Sequence, residues 1–263
     1  MSDLLVKPRI GMVDWAAPIN QGLICWYLMS EREGLNVYDI TGKQTSGAFT
    51  NGPTWDAGVF NGPAVAFDQT ATKEITLPTI NGFNGAEGTI YLPTFHTATT
   101  QFQNMLQLQA DSNNVFQIQN LFLGGTADFN FVRKAGGTTN SNQPAGQTIN
   151  KWLHYVCMWS IKAGTVITYL NGQVLSTASS VTATFSGAVT ANYYGNSNAA
   201  SRAMVGKLDG LRIWNRALSA PEVARLYANG LIGLVGPRRL IISRIAGFKP
   251  YWASQISGVI GAR

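Results

Sequence analysis

The sequence predicts an all-β protein, an antiparallel sandwich with one short helix late in the chain. Apolar runs of strand length recur and are separated by turn-forming pairs such as Asn61-Gly62 and Asn81-Gly82. Residues 101–133 alternate apolar side chains with Gln and Asn, which is typical of strands with a core face and an amide-bearing outer face. The apolar period becomes helical only within residues 206–230. A sandwich of 263 residues is expected to form one domain.

Two segments are apolar on both faces and predict central strands covered on both sides. These are residues 23–29 and 152–160. Asn171-Gly172, between two further alternating segments, is the strongest hairpin signal in the chain. Residues 135–150 are rich in Gly, Thr, Asn and Ser and predict a long polar loop.

Residues 206–230 predict a strand followed by the helix. The alternation over 208–214 indicates one buried face, which carries Asp209 together with Leu211 and Ile213, and leaves Arg212 on the other. Ser219 and Glu222 have the spacing of a capping box, which predicts where the helix begins. The helix signals that follow are Pro221 in the first turn, an apolar face of Val223, Leu226 and Tyr227, and Gly230 at the end.

Four segments, taken in order, resemble the laminin-G-like or concanavalin A-like jelly-roll family. They are residues 37–42, 55–68, 152–172 and 206–230. Gln69 departs from the family pattern, in which Gly commonly follows the Phe-Asp pair. The resemblance implies a jelly-roll β-sandwich, and it leaves the activity open because this fold hosts lectins, glycosidases and structural modules.

Composition excludes several classes of protein. Apolar residues make up 45% of the chain and charged residues 12%, which excludes disorder, and no apolar run has the length needed to cross a bilayer. The first residues lack the apolar segment of a secretory signal, so general secretion is not expected. Cys25 and Cys157 lie in apolar runs without metal-type spacing and are expected to be buried free thiols.

The sequence divides into a neutral body and basic, apolar ends. Residues 1–20 predict an N-terminal arm, 21–230 the jelly-roll domain, and 231–263 a C-terminal arm. Residues 1–230 hold 14 Lys/Arg against 13 Asp/Glu, whereas residues 231–263 hold five basic residues and no acid. Apolar side chains in an arm need a covering surface, either this domain or another chain. The arm residues expected to contact partners are Leu4, Leu5, Trp15, Arg238, Arg239, Leu240, Arg244, Phe248, Tyr251 and Trp252.

The sequence argues against catalysis. Glycosidases of this fold carry paired carboxylates on an acid-rich strand of the Glu-x-Asp-x-x-Glu type, and the chain has none. Glu31 and Glu33 are one residue apart, but they precede Gly34 in a turn. His154 lies in an apolar strand and is expected to be a core histidine, and His96 is the only other one.

Asp209 is the acid with the most unusual predicted setting. If it faces inward, its carboxylate needs N–H donors or a cation. Backbone capping is favoured over calcium, which takes six to eight oxygens. Asp209 and Asp68 are the weak metal candidates, with Asp39 joining them only if the loops converge. No other cofactor is expected.

Residues 192–198 have the composition of a sugar site, with aromatic rings and amides together. The alternative is a strand end with tyrosine packed inward and a polar turn. The candidate carbohydrate-binding residues are Asn192, Tyr193, Tyr194, Asn196 and Asn198. Nucleic-acid binding by the basic tail is disfavoured, because five charges spread among aliphatic residues make a weak phosphate-binding arm.

The combination of a sandwich without catalytic acids, no secretion signal, and apolar or basic arms at both ends favours a virion structural protein. The leading hypothesis is a phage capsid decoration or fibre-like module, made in the host cytoplasm and anchored by its arms. Its partners would be other capsid or tail subunits, further copies of itself and cell-surface glycans, with no membrane partner. The tail also resembles the ends of laminin-G-like proteins encoded with phage structural genes. A carbohydrate-binding lectin, with or without calcium, is the alternative, and a glycoside hydrolase is the third.

Overall fold

The computed structural model describes Lys7 and residues 12–68, 73–97, 102–123, 126–144, 148–197 and 202–235. Within these ranges the chain forms seventeen strands and one α-helix, together with a short 3-10 turn at Pro18–Asn20. The first nine strands are β1 (Leu23–Tyr27), β2 (Asn36–Val37), β3 (Gly47–Thr50), β4 (Thr54–Ala57), β5 (Pro63–Asp68), β6 (Glu74–Leu77), β7 (Glu87–His96), β8 (Gln103–Asp111) and β9 (Asn114–Leu123). The remaining elements are β10 (Thr126–Ala135), β11 (Thr138–Asn142), β12 (Trp152–Ser160), β13 (Thr165–Leu170), β14 (Gln173–Ser179), β15 (Ala191–Tyr194), β16 (Val205–Leu208), β17 (Leu211–Trp214) and α1 (Ala220–Ala228).

The strands form two antiparallel sheets packed face to face, which confirms the predicted jelly-roll sandwich. One sheet has eight strands in the order β11-β10-β9-β8-β15-β6-β3-β2. The other has nine, in the order β14-β13-β12-β7-β16-β5-β4, with β17 beside β16 along one edge of β7 and β1 paired to β17. We call the outer surface of the eight-stranded sheet the front face and that of the nine-stranded sheet the back face.

The main core lies between the sheets, and the predicted central strands border it. All five residues of β1 are buried, and β12 runs between β7 and β13. Phe116 and Trp159 bring the sheets together, with ring centroids 4.4 Å apart. Cys25 and Cys157 are both buried free thiols in this core, as predicted. Asn171 and Gly172 form the predicted β13–β14 turn, with φ of 50° and 81°.

A second apolar cluster covers the back face. Helix α1 contributes Val223 and Leu226, which pack with side chains of β1, β7, β12 and β17. The predicted capping box is present, since Glu222 Oε2 accepts hydrogen bonds from the Ser219 N–H and hydroxyl at 2.8 and 2.9 Å. Hydrogen bonds from Arg216 lower the pKa of Glu222 to about 2. No helix in the described ranges has the length and apolarity required to cross a membrane.

The described parts of both terminal arms also lie on the back face. Val13 and Leu234 pair as an antiparallel bridge, and the Val235 N–H donates to Met12 O at 2.8 Å. Val13, Ile19 and Leu231 belong to the second cluster. The domain itself therefore supplies the cover for these segments, one of the two alternatives that the sequence leaves open. The arm boundaries at residues 20 and 231 stay predictions.

Three local predictions are wrong in part. Residues 208–214 do not form one half-buried strand, because the chain turns at Asp209-Gly210 between β16 and β17 and every residue of β17 is buried. The second apolar cluster covers the side of residues 208–214 that the alternation predicts to be exposed. The predicted polar loop over 135–150 contains strand β11, which pairs with β10. Tyr227, placed on the apolar helix face, is 46% exposed.

Candidate functional site

The front face carries a continuous row of side chains that crosses the whole eight-stranded sheet. Strand pairing aligns one residue from each strand. In β6, β8 and β9 the residues on either side of it belong to the inter-sheet core, so the row residue points outward. At about 4.8 Å between strands, the row is ~34 Å long. In strand order from β2 to β11 this central row is Asn36, Ala48, Thr76, Tyr193, Gln107, Gln117, Val132 and Ser141.

A shallow groove runs over β8, β9 and β10 beside Tyr193. Its volume is about 290 Å³. Gln107 is only 1% exposed and forms part of the floor, whereas Gln117 is half-buried. The lining residues are Gln107, Gln109, Ser112, Val115, Gln117, Val132 and Lys134, and we call this the amide groove.

Hydrogen bonds between the glutamines fix the amides of the groove. Gln117 Nε2 donates to Gln107 Oε1 at 2.9 Å, and Gln107 Nε2 donates to Gln109 Oε1 at 2.6 Å. Each amide is thereby oriented by its neighbour, which reduces the rotamer entropy that a ligand would have to freeze. The groove offers amide donors and acceptors at fixed positions, next to the half-buried ring of Tyr193.

The central row contains no carboxylate, ammonium or guanidinium group. Charged side chains lie beside it: Lys134 Nζ donates to Ser112 O at 2.8 Å, and Asp111 Oδ1 accepts hydrogen bonds from the Asn113 N–H and from Asn114 Nδ2. The hydrogen bond from the Asn113 N–H lowers the pKa of Asp111, whereas burial raises the pKa of Glu74 on β6. The row is therefore uncharged, and polar recognition there rests on amides and hydroxyls.

The sugar site predicted at residues 192–198 is wrong as a set. Adjacent strand residues point to opposite faces, so Tyr193 lies in the central row while Asn192 and Tyr194 point into the protein. Asn192 Nδ2 donates to Pro78 O and Val189 O, and the Tyr194 hydroxyl donates to Gly210 O at 3.0 Å. Asn196 is 1% exposed, so it offers no surface either. Asn198 lies outside the described residues.

The three weak metal candidates do not converge. Asp209 is fully buried, ion-paired to Lys7, and accepts the Val59 N–H at 2.7 Å. Asp68 pairs with Lys73 at the opposite end of the β5–β16 ladder. Asp39 instead accepts hydrogen bonds from the backbone N–H of Trp26 and from the N–H groups of Lys43 and Gln44, in the loop after Asp39. Among the described residues, no three His, Cys, Asp or Glu side chains cluster in a way that fits a metal ion.

Both histidines are buried. His154 Nδ1 lies 2.8 Å from the Tyr91 hydroxyl, as expected for a core histidine. His96 Nδ1 lies 3.4 Å from Gln103 Oε1, between the sheets. Burial lowers the pKa of each imidazole to about 4. Both side chains are therefore neutral at pH 7.

Of the predicted arm contacts, only Trp15 falls among the described residues. It is 50% exposed, and Lys43 Nζ sits 4.5 Å from its ring centroid. The other arm contacts lie outside the described residues: Leu4, Leu5, Arg238, Arg239, Leu240, Arg244, Phe248, Tyr251 and Trp252.

Sequence reasoning anticipated outward amides over residues 101–133 but not the groove that they form. The period of two separates Gln107 and Gln117 from the core, and it also separates Tyr193 from Tyr194. Alternation within single strands does not tell which strands pair or in which register. The alignment of Tyr193 with Gln107 therefore needed the fold.

Comparison with known proteins gives one family and several structural relatives. The family described as the concanavalin A-like lectin/glucanases superfamily, laminin G type, matches residues 68–224, which is more than half of the chain. No curated protein sequence matches the chain significantly.

Three solved structures share the fold at low sequence identity. Domain 4 of AbnA, a GH43 extracellular arabinanase from Geobacillus stearothermophilus solved with arabinotriose, has a TM-score of 0.63 and 18% identity, covering 78% of this chain and 98% of that domain. The binding domain of Paraclostridial Mosquitocidal Protein 1 has a TM-score of 0.65 and 14% identity, covering 80% and 52%. The receptor-binding domain of botulinum neurotoxin mosaic serotype C/D has a TM-score of 0.62 and 10% identity, covering 80% and 51%. The chain thus spans about half the length of the two toxin domains.

Proposed function

The chain belongs to the concanavalin A-like lectin/glucanases superfamily, and we propose that it is a non-enzymatic carbohydrate-binding protein whose binding surface is the front face. The observation that carries the proposal is the amide groove beside Tyr193. Side-chain amides recognise hydroxyl groups as both donors and acceptors, and an aromatic ring packs against the apolar face of a sugar. The central row combines these two features.

The charge of the central row supports a neutral oligosaccharide as the ligand. A sugar acid or sulfate would need a buried or clustered cation. The row has none, and the lining of the amide groove has the single ammonium of Lys134, which already donates to Ser112 O. A ligand extended across the strands would meet Tyr193 and Gln117, and the buried Gln107 would orient the Gln117 amide from below. Arabinotriose, the neutral oligosaccharide found with the AbnA domain, is a suitable first test ligand.

The same geometry disfavours hydrolysis. Glycoside hydrolysis needs two carboxyl groups on either side of the scissile bond. The central row contains no carboxyl group. Asp39 and Asp111 accept hydrogen bonds from loop N–H groups, Glu222 caps the helix, and Asp209 is ion-paired to Lys7. We therefore propose binding without turnover and without a calcium requirement.

A glycan array with and without calcium, followed by calorimetry on the best neutral ligand, tests this proposal. Tyr193→Ala and Gln117→Ala should each weaken binding about tenfold or more, because each removes a contact worth about 1.4 kcal/mol or more. Gln173→Ala removes an exposed amide from edge strand β14 of the other sheet and should leave affinity unchanged. Equal affinity in all three variants, or release of reducing sugar, would contradict the proposal.

Display on a virion is the second proposed function, and the placement of the described residues nearest the two termini supports it. The bridge between Val13 and Leu234 lies on the back face, on the opposite side of the sandwich from the amide groove. A protein anchored through its ends would therefore turn the front face outward. Residues 236–263 supply apolar and basic side chains for such an anchor. The partners would be capsid or tail subunits and further copies of the chain, assembled in the host cytoplasm.

Charge reversal in the tail tests the display proposal. Arg238→Glu combined with Arg239→Glu should abolish co-purification with particle proteins and lower the oligomeric state measured by light scattering. Glycan affinity should stay unchanged, because the altered residues belong to the anchor. Full assembly in the double variant would contradict anchoring by the tail.

A further inference from the structure

Lys7 and Asp209 meet in a fully buried ion pair, although they are 202 residues apart in sequence. Lys7 Nζ contacts Asp209 Oδ1 and also donates to Pro63 O at 2.6 Å and Met29 O at 3.3 Å. Gly58 and Gly62 line the pair, and a Cβ atom at either glycine would overlap Asp209 or Lys7. The amine is therefore held against the carboxyl group in a dry, closely fitted site.

Burial favours the uncharged forms of both partners. Desolvation lowers the pKa of Lys7, and desolvation raises the pKa of Asp209. A neutral amine carries the lone pair that makes lysine a nucleophile. A protonated carboxyl group is an electrophile that can lose its hydroxyl as water. Both pKa shifts run toward the reactive, uncharged forms, against the attraction between the two charges, and the two groups are held in contact.

A second carboxyl group, that of Glu31, belongs to the segment whose Met29 carbonyl accepts a hydrogen bond from Lys7. Glu31 follows Met29 by two residues, and burial raises its pKa. Its Oε1 accepts the Tyr38 N–H at 2.8 Å, whereas its buried Oε2 has no hydrogen-bond partner among the described residues. The charge of Glu31 also acts on Lys7. A partly buried acid with one unused oxygen is suited to carry a proton between two reacting groups.

We propose that Lys7 and Asp209 condense into an intramolecular isopeptide bond. Lys7 Nζ attacks Asp209 Cγ, the Nζ–Cγ bond forms, and the Cγ–Oδ1 bond breaks. Glu31 relays a proton from the amine to the departing oxygen, which leaves as water. No electrons are transferred and no co-reactant is needed. The Val59 N–H, 2.7 Å from Oδ2, holds the oxygen that remains as the amide carbonyl. The amide N–H of the product keeps Pro63 O as its acceptor.

The bond would join the N-terminal segment covalently to the turn between β16 and β17. A cross-link between distant residues stabilises a fold mainly by restricting the unfolded chain. The N-terminal segment would then be unable to leave the domain, in contrast to a segment held by an ion pair alone.

Mass spectrometry of the purified full chain tests the proposal. The intact mass should be lower than the sequence mass by one water, and trypsin should release peptide 1–9 joined to peptide 208–212. A succinimide at Asp209-Gly210 would lose the same mass but leave the two peptides separate. The matched variant Lys7→Arg keeps the positive charge without an amine nucleophile and should show the full sequence mass. Glu31→Gln should give incomplete conversion. A wild-type mass equal to the full sequence mass, or water loss confined to an unlinked peptide 208–212, would overturn the proposal.

Discussion

The two outer faces of the sandwich differ in what covers them. The back face is closed by helix α1 and by the described terminal segments, which form a second apolar cluster around Trp26 and Trp214. The front face has no such cover among the described residues and carries the central row, whose uncharged side chains are amides, hydroxyls, one tyrosine, Ala48 and Val132. The contrast indicates a division of roles: the back face contributes to stability, and the front face is available for a ligand. Substitutions on the two faces should therefore have different consequences.

The largest loss of stability is expected from Arg212→Met on the back face. The buried guanidinium of Arg212 donates to Gly230 O and Ile232 O and lies 3.4 Å from the Trp26 ring centroid. Burial lowers its pKa to about 9, so it remains charged at pH 7. The variant leaves two buried carbonyls without donors and should lower the free energy of unfolding by roughly 4 kcal/mol.

Urea denaturation measures this loss, with Lys162→Met as the control. Lys162 is exposed, and its replacement should change stability by less than about 0.5 kcal/mol. Similar values for the two variants would remove the distinction between a stabilising back face and the rest of the surface.

Acidification should weaken the fold through the two histidines. Each has a folded pKa of about 4, below the unfolded value of about 6.5, because burial penalises the imidazolium. The unfolded chain binds protons first, so stability is full above pH 6.5 and is lost as the pH falls toward 4. The free energy of unfolding can fall by at most about 3 kcal/mol for each histidine.

Unfolding free energies between pH 7 and pH 4 test this dependence, with His154→Gln as the probe. The variant should show a shallower slope between pH 6.5 and pH 4.5, because one of the two titrating groups has been removed. An unchanged slope would mean that His154 does not resist protonation in the folded protein.

A smaller effect is expected on the back face from Gly230→Ala. The added methyl group would overlap the Phe60 ring, which forms part of the second apolar cluster. Overpacking of this kind costs about 1–3 kcal/mol. Thermal unfolding should show a reduced midpoint with glycan affinity retained. Loss of affinity together with stability would indicate that the two faces are coupled.

The smallest stability effect is expected on the front face. Gln117→Ala removes one hydrogen bond to Gln107 and should change the free energy of unfolding by about 1 kcal/mol or less. The same substitution should reduce the free energy of glycan binding by more than it reduces the free energy of unfolding. A stability loss comparable to that of Arg212→Met would contradict the proposed difference between the faces.

The sequence predicted the structural features that are determined by residues close together in the chain. The β1 and β12 strands, the Asn171-Gly172 turn and the Ser219–Glu222 capping box follow from local patterns, and all are present. The inward pointing of Tyr194 follows from the period of two and agrees with the alternative interpretation of residues 192–198, a strand end with tyrosine packed inward, whereas the sugar site rested on composition alone.

What depends on distant pairing was not predictable. Lys7 is buried because Asp209 lies beside it, and nothing within either local segment indicates the other. Arg212 occupies an outward position of a short strand, and it is buried because residues 230–232 fold over it. The alignment of Tyr193 with Gln107 likewise depends on strand register, which alternation alone does not determine.

Hydrogen–deuterium exchange with and without a saturating neutral oligosaccharide tests the division between the faces most directly. Our account predicts ligand-dependent protection in β8, β9 and β15, with no change in α1 or in residues 12–20. Protection centred on α1 and residues 12–20, with β8, β9 and β15 unchanged, would contradict it.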